Sequence, residues 1–224
     1  MHLLLDTANV QQIQYYCDML PVTGVTTNPS ILQKAGEKEL WTLLDNIKAA
    51  IGDMGQLHVQ VTASDAKNMI TEARAIRQRL GSVYIKVPVT EEGLKCIKAL
   101  KAEDISVTAT AVYSSMQGLL AAAAGADYIA PYCNRMEWLG TDFSRVISLI
   151  RNDGERTGSS TKIVAASFRS LGQVLTAIES GAHAVTLPPS MIKEALSSPA
   201  VDSAISSFSK DWSSLFGNSM LHQL

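Results

Sequence analysis

Ile85-Lys86-Val87-Pro88-Val89-Thr90 is the stretch on which the reading of this chain turns. Val83, Tyr84, Ile85 and Val87 are β-branched or aromatic and follow the turn-like pair Gly81-Ser82, so the run reads as a short buried strand. Glu91-Glu92-Gly93-Leu94 then opens a segment with helical spacing. Lys86 interrupts the apolar run. A lysine is rarely buried without a partner or a task. Desolvation disfavours its ammonium form and can lower its pKa by ~3–5 units from a free value of about 10.4. A neutral amine attacks carbonyls, which is the opening step of Schiff-base chemistry. Position alone leaves a plainer reading open, in which an edge-strand lysine carries its charge out to water on its stem.

Outward from this strand the pattern repeats. Residues 3–5, 22–26 and 57–61 upstream are short apolar runs, as are 105–110, 128–132, 162–167 and 184–187 downstream. Between them helical spacing appears over 8–20, 40–51, 64–80, 91–102, 114–124 and 143–151, then up to Ser180 and near 191–196. Ser30 reads as a helix cap, and 153–161 as the most polar loop. Alternating strands and helices predict a parallel sheet, and eight such units predict an α/β fold, a closed (β/α)8 TIM barrel. An open doubly wound sheet would advertise a glycine-rich turn after its first strand, and Asp6-Thr7-Ala8-Asn9 holds no glycine. With no linker or composition break, residues 1–224 read as a single domain. An additional C-terminal helix, about 200–216, carries Val201, Ile205, Phe208, Trp212, Leu215 and Phe216 near helical spacing. Such a face must bury itself on its own barrel or on a neighbouring subunit.

Composition narrows the function classes. A net charge of −2 over 224 residues, with no Lys/Arg cluster, argues against a nucleic-acid partner. No apolar run reaches the ~18 residues of a membrane helix, and the N-terminus lacks a signal peptide's basic region. Three scattered cysteines, Cys17, Cys96 and Cys133, predict reduced thiols in a soluble cytoplasmic protein. His2, His58, His183 and His222 show no ligand-like spacing, so no metal is expected, and Schiff-base chemistry at Lys86 needs no other cofactor. Trp41, Trp138 and Trp212 are expected to pack or to contact a neighbour.

In such a barrel the active site lies where the strands end. Those ends carry Asp6, Thr26 and Asn28, Gln60, Lys86, Thr108 and Thr110, Tyr132 with Asn134 and Arg135, and Ser167 with Arg169. Each has an ordinary reading alone: Asp6 and Thr27 as helix caps, Asn28-Pro29 as turn chemistry. Their convergence on one barrel face is the signal.

With these residues in view the chain resembles the short-chain transaldolase family, and within it the fructose-6-phosphate aldolase branch. The resemblance covers nearly the whole length, through LDTANV (5–10), GVTTNPSIL (24–32), YIKVPVTEEGLKCIKALK (84–101), TAVYSSMQGLLAAAAGADYIAPYCNR (110–135), AASF (165–168) and VTLPPS (185–190). It implies a class I aldolase that reversibly cleaves fructose 6-phosphate to dihydroxyacetone and glyceraldehyde 3-phosphate. Lys86 matches the Schiff-base lysine. Asp6 and Asn28 match residues that hold donor hydroxyls, and Thr26 and Thr110 match polar neighbours. Arg135, Ser167 and Arg169 match the phosphate-binding group, where lysine is common at the last position. Gln60 and Tyr132 match the aldolase branch's water-holding amide and proton-transfer phenol. The partners implied are sugar phosphates and further copies of the chain, in a ring-based decamer with the last helix on an adjacent subunit.

The alternative is a transaldolase, which passes the dihydroxyacetone unit to an aldose phosphate. That branch carries glutamate at Gln60, phenylalanine at Tyr132 and asparagine at Thr108. A glutamine amide cannot serve as a general base, and a phenol with a free pKa of about 10 serves as acid or base only when neighbours such as Lys86 tune it. Thr108 departs from both branches, since the aldolases carry an aliphatic residue there, and it bears on acceptor choice.

Overall fold

The computed structural model describes residues 1–53 and 55–223, which divide into two compact units, Met1–Pro189 and Ser190–Leu224. In the first unit β1 (His2–Asp6), β2 (Val22–Thr26), β3 (Gln56–Gln60), β4 (Tyr84–Pro88), β5 (Val107–Val112), β6 (Tyr128–Pro131), β7 (Lys162–Ala165) and β8 (Ala184–Leu187) close into a parallel barrel in chain order. This is the (β/α)8 architecture that the alternation predicts. The connecting helices are α1 (Val10–Met19), α2 (Pro29–Ala35), α3 (Leu40–Ile51), α4 (Ala66–Leu80), α5 (Glu91–Ala102), α6 (Ser115–Ala123), α7 (Cys133–Trp138), α8 (Phe143–Thr157) and α9 (Leu171–Glu179).

Strand side chains alternate between two faces, and here parity separates their jobs. Odd-numbered residues such as Leu5, Val25, Val59, Ile85, Val107 and Ile129 are buried on the helix side. Each such aliphatic contributes about 1.5–3 kcal/mol relative to exposure. Even-numbered residues turn into the barrel, where Leu4, Tyr128, Ala130, Val164 and Ala184 form one cluster with Tyr84 packed against it. The polar even residues at the ends of the strands lie above that cluster. Gly93 lets α5 close down on β4, because a Cβ there would meet the Pro88 carbonyl oxygen at 1.9 Å.

Local chemistry moves several boundaries. Asn28, not Ser30, caps α2: its Oδ1 accepts the Ile31 N–H at 3.0 Å, and Pro29 takes the first helical position, where a missing N–H is no loss. Residues 153–157, expected as loop, continue α8. Their charges fall at helical spacing, with Arg151 on Glu155 at 2.6 Å and Arg156 on Asp153 at 2.5 Å. Gly158, at φ 67°, then ends the helix. β5 starts two residues later than expected and runs past Thr110, through Ala111 at φ 56° and an irregular register with β6 between Ala109 and Val112. Such a bulge re-aims the side chains beside it.

The second unit holds most of α10 (Pro189–Leu196), then α11 (Pro199–Phe216) and a 3-10 turn (Leu221–Gln223). None of the residues of α11 is buried, and Phe208 is 70% exposed. No described helix is long and apolar enough to cross a membrane.

Candidate active site

Lys86 faces inward from the middle of β4 and is 4% exposed. The edge-strand reading fails, since a closed barrel has no edge. Its Nζ donates to the Thr27 carbonyl at 2.7 Å. Thr27 itself is buried, with its hydroxyl donating to the His58 carbonyl at 2.9 Å, so the oxygen that receives the amine is held between β2 and β3. Gln60 lies on one side of Lys86 in the sheet register and Thr108 on the other.

Asp6 closes β1. It caps nothing: Asn9 caps α1, accepting the Gln12 N–H at 2.9 Å. Instead the Thr26 hydroxyl donates to Asp6 Oδ1 at 2.6 Å, and Thr186 of β8 lies 2.6 Å from the same hydroxyl. The chain of oxygens Asp6–Thr26–Thr186 thus crosses from β1 through β2 to β8. Burial pushes the Asp6 carboxyl above its ordinary value, opposed by Lys86, the Thr26 hydrogen bond and Lys34. Burial pulls the Lys86 amine below its ordinary value, opposed by Asp6. Dehydration dominates for both groups, so the pair is biased towards a neutral amine beside a carboxyl that is easier to protonate.

Across the mouth, the Thr110 and Tyr132 hydroxyls are 3.0 Å apart. Tyr132 is raised above its ordinary pKa by burial; the Thr110 hydrogen bond and Arg135 lower it, while Asp6 and Tyr113 raise it. The expectation that Lys86 tunes this phenol is corrected here, because the neighbours that act on it are Thr110, Asp6, Arg135 and Tyr113. The phenol therefore holds its proton at neutral pH. Arg135 lies with its guanidinium carbon 5.2 Å from the Tyr132 ring centre and donates to the Tyr113 hydroxyl at 3.2 Å.

The remaining predicted residues frame the rim. Ser167 adopts φ 61°, a left-handed conformation uncommon for a side chain other than glycine or asparagine. Its carbonyl accepts the Asn134 N–H at 2.9 Å, which ties the β7 end to the α7 start and brings Ser167 beside the segment carrying Arg135. Arg169 is exposed, with its backbone N–H bound to Gln173 Oε1 at 2.8 Å. Asn28 is half-buried, and its Oδ1 is engaged in capping α2. Trp138, at the end of α7, is 91% exposed. Burial pushes the Cys133 thiol up to about 12, so it is no nucleophile.

Thr108 departs from its expected place. It is buried, and its hydroxyl is 2.8 Å from His58 Nδ1 rather than presented at the mouth. Sequence reasoning missed Thr186, Tyr113 and the Thr27 carbonyl. Thr186 was findable, as the inward position two residues after Ala184. Among the described residues no three His, Cys, Asp or Glu side chains gather in a metal-binding group. The family model described as Transaldolase/Fructose-6-phosphate aldolase matches residues 3–221.

Proposed function

The chain belongs to the transaldolase/fructose-6-phosphate aldolase family and is an enzyme of that Schiff-base type; within it we propose a class I aldolase that cleaves fructose 6-phosphate to dihydroxyacetone and glyceraldehyde 3-phosphate. Lys86, the buried amine at the mouth, attacks the ketone carbon. Loss of water gives an iminium, which accepts the electron pair of the breaking carbon–carbon bond as the adjacent hydroxyl passes its proton, by way of a water held by Gln60, to solvent. Glyceraldehyde 3-phosphate leaves, and an enamine of dihydroxyacetone stays on Lys86.

The two activities diverge at that enamine. A transaldolase holds it for an aldose acceptor, whereas an aldolase protonates it and hydrolyses the iminium. The observation that carries the aldolase reading is the Tyr132–Thr110 pair, a protonated phenol 3.0 Å from a hydroxyl through which its proton can be replaced. Positioned general acids contribute about 10²–10⁴-fold. Gln60, in register beside Lys86, cannot titrate, which suits it to holding the hydrolytic water. Arg135, Ser167 and Arg169 bind the phosphate, arginine offering a planar fork to its oxygens. Asp6 and Asn28 hold the donor hydroxyls, with Thr26 orienting Asp6.

Incubation with fructose 6-phosphate alone tests this reading. Free dihydroxyacetone accumulates without an acceptor if the chain is an aldolase. Product that appears only after addition of erythrose 4-phosphate makes it a transaldolase.

We also propose that the enzyme works in the cytoplasm as a homo-oligomer, in which the exposed apolar row of α11 (Val201, Ile205, Phe208, Leu215) covers a neighbouring copy. Light scattering on the chain with and without residues 199–224 tests the assembly.

A further inference from the structure

Beneath Lys86 the barrel interior holds three rings in mutual contact. His58 stacks on Tyr84 with centroids 4.6 Å apart, and each meets Tyr128 edge-on, at 5.4 and 5.2 Å. Tyr84 lies two residues before Lys86 on the same face of β4, and His58 is its partner on β3. Thr108, the register partner of Lys86 on β5, reaches across to His58 Nδ1 at 2.8 Å. That bond bridges β3 and β5, the two strands flanking β4, just where the Lys86 stem leaves the sheet.

Below the rings Gln56 places a polar group in the interior. Gln56, two residues earlier on the inward face of β3, has a buried Oε1 without a partner among the described residues, and so does His58 Nε2. Buried polar atoms of this kind attract water. A path from Gln56 up to Lys86 would therefore offer water hydrogen-bonding partners, and ring bulk is what blocks it.

We propose that His58, fastened by Thr108, is a positioning residue: it locks the three-ring floor that keeps water from the stem side of Lys86 and so keeps the amine ready for imine formation. The inference rests on Lys86 being the imine-forming group. Burial, then the nearby Lys86, pull the His58 imidazole down to about 3, so it supplies bulk and one hydrogen bond without a competing charge. The titratable groups that interact with Lys86 are Asp6 from β1 and His58 from β3, with Tyr84 and Tyr128 in the floor; Lys34 acts on Asp6, and Arg135 and Asp6 act on Tyr132, at the mouth. β2, β5 and β8 contribute Thr26, Thr108, Thr110 and Thr186, which do not titrate, and β7 contributes Val164.

Covalent capture of dihydroxyacetone by cyanoborohydride, read by intact mass across a pH series, tests this in the full-length protein. In His58→Ala, water entering under Lys86 stabilises the ammonium, and the capture midpoint rises by about one pH unit, a tenfold loss of neutral amine at a given pH. His58→Phe restores the bulk and keeps the midpoint near that of the parent. Thr108→Ala, which frees His58, raises the midpoint by less than His58→Ala does. An unmoved midpoint in folded His58→Ala, or an equal rise in His58→Phe, overturns the proposal. Should His58→Ala not fold, Thr108→Ala decides, its unmoved midpoint being the overturning result. Absence of any adduct in the parent protein would instead overturn the Schiff-base reading itself.

Discussion

The barrel interior carries polar groups at two depths, and they behave differently. At the mouth, Asp6, Thr26 and Thr186 form one hydrogen-bonded set, from β1, β2 and β8, and Thr110 and Tyr132 another, from β5 and the end of β6. There two opposite charges lie close enough to offset part of each other's dehydration. On the floor His58 has one hydrogen bond and, among the described residues, neither an opposite charge to support it nor a partner for its Nε2. At the mouth burial and an opposite charge pull the protonation of Asp6 and of Lys86 in opposing directions, whereas on the floor burial and the nearby Lys86 both favour neutral His58. Burial alone silences a titratable group; burial beside an opposite charge makes it responsive.

The strongest way to break this contrast is to remove its centre. Lys86→Met deletes the amine while keeping an apolar stem, and we expect complete loss of turnover and of covalent capture with an unchanged circular dichroism spectrum. Residual adduct on that variant would place the chemistry elsewhere. Tyr132→Phe comes next. Cleavage should fall by about 10²–10⁴-fold, the usual contribution of a positioned acid, while imine capture changes only a few-fold. Equal losses in both assays would count against its proton-transfer role.

The floor is sharpened by acid unfolding. An imidazole held at about 3 in the fold titrates at about 6.5 in the unfolded chain. Between those values the unfolded chain binds the extra proton, so stability rises with pH through this window and is flat above it. One such proton gives a slope of about 1.4 kcal/mol for each pH unit, and His58→Phe should remove it, a few kcal/mol across the window. A denaturation series at several pH values measures it, and an unchanged acid limb would show that His58 is not held neutral. At the mouth the sign is set by Asp6. In Asp6→Asn the charge that favours the ammonium is gone, so the Lys86 capture midpoint should move to lower pH even as turnover suffers. The smallest effect belongs to the rim: Arg169→Ala should raise KM for phosphorylated substrate roughly tenfold, the scale of a charge-assisted hydrogen bond of about 1.5 kcal/mol, and spare unphosphorylated acceptors.

Much of this was legible in the chain itself. The strand–helix alternation predicted the barrel, and inward parity turns Lys86, Thr26 and Thr110 into its interior, but of the three only Thr26 ends its strand: Lys86 lies at the middle of β4, and β5 runs on past Thr110. Three kinds of information were not legible. Asn28 rather than Ser30 became the cap because the choice depends on where the backbone leaves the extended conformation. Residues 153–157 read as loop because their polarity hid charge pairs that form only once the helix exists. Thr108 read as a mouth residue, since sequence order along β5 does not say which neighbour its hydroxyl will meet.

The sequence by itself determined the period of every strand and therefore which side chains face inward, because alternation is a local property of extended backbone. Barrel closure decided the rest. It joined residues distant in the chain, Thr26 to Thr186, Lys86 to Thr27 and His58 to Thr108, and by excluding water it shifted the protonation of Asp6, Lys86 and Tyr132. Dehydration and Coulomb attraction depend on distances through space, and only the folded chain has those.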